Sequence, residues 1–528
     1  MDYLKLNMKK LLFAFIVAQF TFGFSGCSSN YSPVVPPVTQ AGSLTTADVN
    51  QLVAQAVEQA DRLSQKVVVA VSDRSGNILA VYRMNNSSAS VWDVNVGAVP
   101  KARTAAYLSS NQHAFTTLTA CYITRSHFPP ATPNTPGGPL YGVPFSSVGG
   151  GDIQPNNSQP PGQAATGQMG LSGVPGGVPI FKNGQLVGGL GVSAYPNAAN
   201  LGNTFLTDCS GAPKLAETIA LGAVIGFTPL SDFRGDNIFI DGIRLPYQIE
   251  NTPAGNFTYT QAIVNSKGNL DQTYPLINVP NFPFSGPVDL GNGQQNFNVR
   301  AGQFLTAGEV QNIINQAIAT ANNTRAAIRR PLNSAARVFI AVADVDGSIL
   351  GIWRTADATI FSYDVAAQKA RTVVAFSDPT TTLGGRFRQV LGLPANQQMA
   401  VTTRAIGFLS QRFFPPGQDQ PTDGKAVQAG PLFVRGFLAL NDYRWQQNLG
   451  LAPYGNGITI FPGGIPLYKN GQLVGGIGVS GDGVDQDDYI ASGGTRGYEA
   501  PTQMRTDQFS YQTIPLPYVK FPRNPNLN

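Results

Sequence analysis

Histidine is scarce in this chain: His113 and His127 are the only two in 528 residues. An imidazole can ligate a metal or move a proton near neutral pH, so these two side chains are weighed first. Neither has a partner at useful spacing. No metal-spaced His/Cys cluster, Ser-His-Asp order, phosphate loop or facing pair of carboxylates stands out, and the sequence reads as no enzyme. Two basic pairs come next, Lys101 with Arg103 and Lys369 with Arg371, each inside the phrase Lys-Ala-Arg-Thr. They could grip an anionic ligand, the arginine bidentately. Alternatively they pair with carboxylates such as Asp93 and Asp364, or face solvent on an exposed helix surface. Trp92 and Tyr363 stand in corresponding places ahead of these phrases and are candidates to line a pocket. Gly188-Gly189-Leu190-Gly191 falls in or after a strand with no helix start behind it, which fits close backbone packing better than phosphate binding. The cysteines are Cys27, Cys121 and Cys209.

The elements that must position these residues occur twice. Residues 44–61 (LTTADVNQLVAQAVEQAD) match 305–322 (LTAGEVQNIINQAIATAN). Both open with a capping box, Thr45 with Asp48 and Thr306 with Glu309, and continue with apolar residues at helical spacing. Residues 67–84 and 338–355 each read as two β-rich runs around a turn that starts with Asp and ends with Gly, the chemistry of a hairpin. The Lys-Ala-Arg-Thr helices follow. Later, PGGVPIFKNGQLVGGLGVS (175–193) matches PGGIPLYKNGQLVGGIGVS (462–480), with Asn183-Gly184 and Asn470-Gly471 as type I′ turns. The repeat resumes in IRLPY (243–247) and IPLPY (514–518), and 214–227 reads as a further helix. Hairpins with helices between them predict an α+β fold, each unit an antiparallel sheet with helices packed on it.

The N-terminus reads as an address. Lys9-Lys10, an apolar run over 11–22 and then Phe24-Ser25-Gly26-Cys27 give the order of a lipoprotein signal. The run is too short for a spanning helix, which needs about 20 apolar residues. Residues 1–26 are thus the signal peptide, Cys27 is the lipidated residue, and 27–43 form a flexible tether. The first domain covers 44–247, a linker 248–300, and the second domain 301–528. Ser28 after the acylated cysteine points to the outer membrane, by resemblance to sorting in enteric-type bacteria. Charged residues make up 12%, about half the globular norm of ~25%, which suits an extracytoplasmic chain. The net charge of +5 is scattered, so no nucleic-acid partner is implied. In an oxidising compartment Cys121 and Cys209 either form one disulfide or remain two thiols.

The opening Leu-Thr helix, the strand ending in Asp-x-x-Gly, the Lys-Ala-Arg-Thr helix, Pro-Gly-Gly-[Val/Ile]-Pro and the closing Gly-Gly-[Leu/Ile]-Gly-Val-Ser occur in this order twice. In this they resemble the GlcG/HbpS-like haem-binding domain family. The resemblance implies two tandem profilin-like α/β domains and makes haem, or a similar flat anionic cofactor, the expected ligand. Haem iron takes an axial ligand such as His, Cys, Met or Tyr. That makes His127 and His113 the candidate ligands, Lys101, Arg103, Lys369 and Arg371 the candidate grips for propionates, and Trp92 and Tyr363 the candidate walls. The counterpart of His127 in the second repeat is Phe413, so that copy has no histidine to offer. Three functions follow in order of expectation: an envelope-anchored binding lipoprotein, a structural or assembly lipoprotein, and haem degradation. The expected partners are the membrane through the lipid on Cys27, other envelope proteins and a second copy of the chain.

Overall fold

The computed structural model describes residues 43–93, 96–141, 172–197, 209, 214–248, 255–272, 295–297, 299–419, 428–433 and 459–527. The expected signal peptide, the expected lipidation site Cys27 and the expected tether up to residue 42 lie outside the described residues.

The first repeat begins with α1 (Thr46–Arg62), whose capping box is made as expected: Thr45 Oγ1 accepts from Asp48 N at 3.2 Å, and the Asp48 carboxylate accepts from Thr45 N at 2.7 Å. Strands β1 (Val68–Asp73) and β2 (Ile78–Met84) form a hairpin, followed by α2 (Ala98–Tyr107) and α3 (Thr117–Thr124). A second hairpin, β3 (Gly177–Lys182) with β4 (Gln185–Ser193), turns through Asn183 and Gly184 at φ 53° and 75°, as a type I′ turn requires. Helix α4 (Lys214–Ala223) and a small hairpin, β5 (Phe239–Ile240) with β6 (Ile243–Arg244), complete the unit. Helix α5 (Gln261–Lys267) then runs straight into β7 (Gly268–Gln272).

The second repeat follows the same plan: β8 (Gln295–Phe297), α6 (Ala307–Asn323), β9 (Val338–Ala343), β10 (Ile349–Arg354), α7 (Phe361–Ser377), α8 (Thr382–Val390), α9 (Thr403–Leu409), β11 (Gly464–Lys469), β12 (Gln472–Gly481), α10 (Val484–Gly494), β13 (Ser510–Tyr511) and β14 (Ile514–Pro515). The two antiparallel sheets have the orders β3-β4-β1-β2-β7 and β11-β12-β9-β10-β8. Both fifth strands come from residues 248–300. That segment does more than link the repeats: it supplies an outer strand to each sheet.

Both faces of each sheet are covered, which is why the central strands read as unbroken apolar runs. Val69 and Val71 of β1 pack with α1 and α4, while Val68 and Ala70 pack with α2. In β9, Ile340 and Val342 join α6 and α10, and Phe339 and Ala341 join α7. The glycines of β4 and β12 let α2 and α7 approach: a Cβ on Gly191 would sit 2.0 Å from Ala98 O, and one on Gly478 2.1 Å from Ala366 O. The two repeats share a core. Tyr107, Leu108, Phe115 and Ile123 of the first pack with Phe361, Ile360 and Ile328 of the second.

Candidate functional site

Every residue of α2 and of α7 is buried, so the exposed helix surface expected for the basic pairs does not exist. Lys101 and Lys369 are 0% exposed and reach Val192 O (2.9 Å) and Val479 O (2.6 Å) at the ends of β4 and β12. Lys369 is also paired with Asp487 at 2.8 Å and lies over the Phe461 ring. In the first repeat Ala216 holds the place of Asp487: a Cβ on Gly176 would meet Ala216 Cβ and Lys101 Nζ, as one on Gly463 would meet Asp487 Cβ and Lys369 Nζ. Burial pushes the Lys101 ammonium down to about 7, against the pull of Asp93 and Glu217. Burial likewise pushes the Asp487 carboxyl up to about 7, against the pull of Lys369. Arg103 donates from Nε to Gly76 O (2.8 Å) and Arg371 to Gly347 O (2.9 Å), bracing the turns of the β1–β2 and β9–β10 hairpins. These four side chains act within the protein and do not converge on a common space.

Trp92 is half-buried against the α2 side of the first sheet, and Tyr363 is buried edge-on to Phe339 at 5.5 Å. The cavity between the repeats, walled by Leu108, Phe115, Ile328 and Phe361, includes neither. It holds about 40 Å³, against the roughly 300–1,000 Å³ of ordinary ligand pockets.

Both histidines are engaged at the junction of the repeats. His113 is fully buried, with Nε2 2.9 Å from Leu108 O and Nδ1 2.7 Å from Ser110 Oγ. The carbonyl can only accept, so Nε2 carries the proton and Nδ1 accepts from the serine hydroxyl. Burial, with Arg329 adding to it, pushes this imidazole down to about 3. His127 has Nδ1 3.0 Å from Thr135 O and Nε2 3.1 Å from the Asp419 carboxylate. Its ring stacks on Phe413 at 4.8 Å. The residue that corresponds to His127 in the second repeat is thus its packing partner across the junction.

Sequence reasoning missed the residues that organise this junction. Arg329, in the stretch between α6 and β9 that is longer than its counterpart in the first repeat, is fully buried. It pairs with Asp482 and with Asp357 (2.6 Å), and donates to Ser110 Oγ (3.2 Å), the hydroxyl that holds His113. Asp357 also takes Arg74 and Asn111 N from the first repeat. Burial works to raise its carboxyl, but Arg74 and Arg329 hold it well below the usual range. Gln112 bonds Arg330 O and Ser334 Oγ, both at 3.1 Å, while Asn134 and Asp419 exchange backbone-to-side-chain bonds. The extra length before β9 was the available signal; its purpose was not legible, because Asp482 and Ser110 lie 153 and 219 residues from Arg329. Away from this junction, Cys121 and Cys209 are joined as a disulfide that ties α3 to the segment ahead of α4.

The helix–sheet–helix repeat with its Lys-Ala-Arg-Thr helix and glycine-rich closing strand defines the class of fold. A family model described as haem-degrading protein HbpS-like matches residues 44–200 and 305–496, more than half of the chain, and the protein belongs to that family. Among solved structures, a PduOC–haem complex is 20% identical, covering 37% of this chain and 95% of its own, at a TM-score of 0.22. Protein ORFY of Klebsiella pneumoniae is 23% identical over 37% of this chain and 96% of its own, at 0.23. A double mutant of HbpS from Streptomyces reticuli is 20% identical over 37% and 88%, at 0.20. No curated protein matches the chain.

Proposed function

We propose that the protein is a non-enzymatic lipoprotein of the cell envelope, acylated at Cys27, in which two HbpS-like repeats are fused to present their loops to envelope partners. One observation carries this reading: His127 is spent on joining the repeats, His113 on bonds inside the first repeat, and the basic pairs on bracing each repeat from inside. The anchor rests on the order of Lys9-Lys10, the apolar run and Cys27, and Ser28 favours the outer membrane. No described helix is long and apolar enough to cross a membrane.

Membership of a family described as haem-degrading favours a second reading, haem binding at the envelope. The residues expected to hold haem do not fit it. Both rings nitrogens of each histidine are engaged, Lys101, Arg103, Lys369 and Arg371 are at most 5% exposed, and the space between the repeats is about 40 Å³. A haemin titration of the lipid-free chain starting at Ser28, followed by visible absorption, separates the two readings. The assembly reading predicts no Soret shift beyond that of a control protein. A saturable shift with one or two equivalents gives the haem reading first place.

A further inference from the structure

A groove of about 690 Å³ opens on the other side of the first repeat, between the outer surface of α1, Ile225 after α4, and residues 255–261. Its size falls within the range of ligand pockets. It lies away from the junction, and the 255–261 wall is outside both stretches matched by the family model. Its chemistry is distinctive. Asn50, Gln51, Gln55 and Asn256 present carboxamides, and Phe257 and Tyr259 present half-buried rings, with Arg62 over the first at 5.1 Å and Lys267 over the second at 5.9 Å; among the described residues no acidic or basic side chain lines it.

The wall is held from behind by α1. Glu58 accepts from the backbone N–H groups of Thr258 and Tyr259, both at 2.7 Å, and pairs with Arg62 at 2.6 Å. Arg62 also donates to Asn256 O (2.6 Å), and Tyr259 donates its hydroxyl to Asp61 (3.0 Å). Glu58, Asp61 and Arg62 of α1 are therefore engaged in fixing the wall. Gln55, only 6% exposed, donates to Ile225 O (3.2 Å), while its Oε1 has no hydrogen-bond partner in the protein. A buried acceptor left unmet is destabilising unless a ligand donor satisfies it.

We propose that this groove binds an uncharged saccharide. Carboxamides carry both donors and acceptors, matching hydroxyls that do the same, and aromatic rings cover the apolar C–H face of a sugar. Among the described residues no lining charge is present to select an anionic or cationic ligand, which favours a neutral one. The lipid-free chain from Ser28 is titrated with maltotriose, cellotriose and tri-N-acetylchitotriose by calorimetry, with saturation-transfer NMR to identify the contacting protons. The expected result is saturable binding of at least one, weakened about tenfold or more in Phe257→Ala, in Gln55→Leu and in the exposed-site variant Gln51→Ala, with melting of the last unchanged. Absence of saturable binding by all three sugars overturns the proposal, as does binding that survives all three substitutions. Binding of a Gln/Asn-rich peptide in their place overturns the ligand class. None of these outcomes depends on the haemin titration.

Discussion

Lys369 has Asp487 at 2.8 Å where the first repeat has Ala216, and Lys101 instead feels the pull of Asp93 and Glu217. Removing one partner of a close buried pair is strongly destabilising, because it leaves the other charge uncompensated. Lys369→Met should therefore destabilise by about 3 kcal/mol, and by more than Lys101→Met, as read by urea unfolding at neutral pH. Equal losses would show that the carboxylate is immaterial. His113 gives a pH signature. Its imidazole is held down to about 3 in the folded protein, whereas the unfolded chain takes up the proton near the ordinary 6.5. The neutral ring thus stabilises fully above 6.5, and that contribution is lost as pH falls toward 3. Below 6.5 the unfolded state binds the extra proton, a slope of about 1.4 kcal/mol per pH unit. Unfolding free energies measured from pH 6.5 to 4.5 should fall by this amount beyond those of His113→Gln; parallel curves would contradict it.

At the scale of elements, what was legible was local. The capping boxes, the Asn-Gly hairpins and the glycine strands follow from neighbours in sequence, and they stand where the sequence put them. Helices α2 and α7 were misread because they lack a polar face: buried all round, they give no helical period from which to tell inside from outside. The sequence also matched only the last five residues of the paired extensions, yet the likeness is longer. Arg234 lies over Tyr247 at 4.8 Å and Arg505 over Tyr518 at 4.5 Å, and Thr116 and Thr402 bond the carbonyls of those tyrosines. The repeats fasten equivalent helices by different means. Thr117 and Thr403 both hold the start of a strand, at Gly177 N and Gly464 N, which makes Leu118 and Arg404 counterparts. Arg404 ties α9 to Asp485 (2.6 Å) and Asp488 of α10, whereas α3 is tied by the Cys121–Cys209 disulfide. A bridge spanning 88 residues should contribute about 2–5 kcal/mol. Reduction should lower the melting temperature of the wild type and leave that of Cys121→Ala/Cys209→Ala unchanged; no shift on reduction would show that the bridge adds nothing.

For the whole molecule, the decisive feature is that residues 40–528 form one compact unit. Two copies of a fold that could stand side by side instead share a core and a buried charge network centred on Arg329. The place of His127 was not legible because Asp419 and Phe413 belong to the other repeat, while His113 is held locally by Leu108 and Ser110, which Arg329 of the other repeat reaches. The central claim is that these side chains serve the joint. It is tested most directly by urea unfolding of two single-tryptophan forms, one keeping Trp92 in the first repeat and the other Trp353 in the second. The two signals should coincide in the parent protein and separate once Arg329→Ala strands Asp482 and leaves Asp357 paired with Arg74 alone, at a cost of about 3–5 kcal/mol. Separate transitions in the parent, or coincident ones unchanged by Arg329→Ala, would contradict the account.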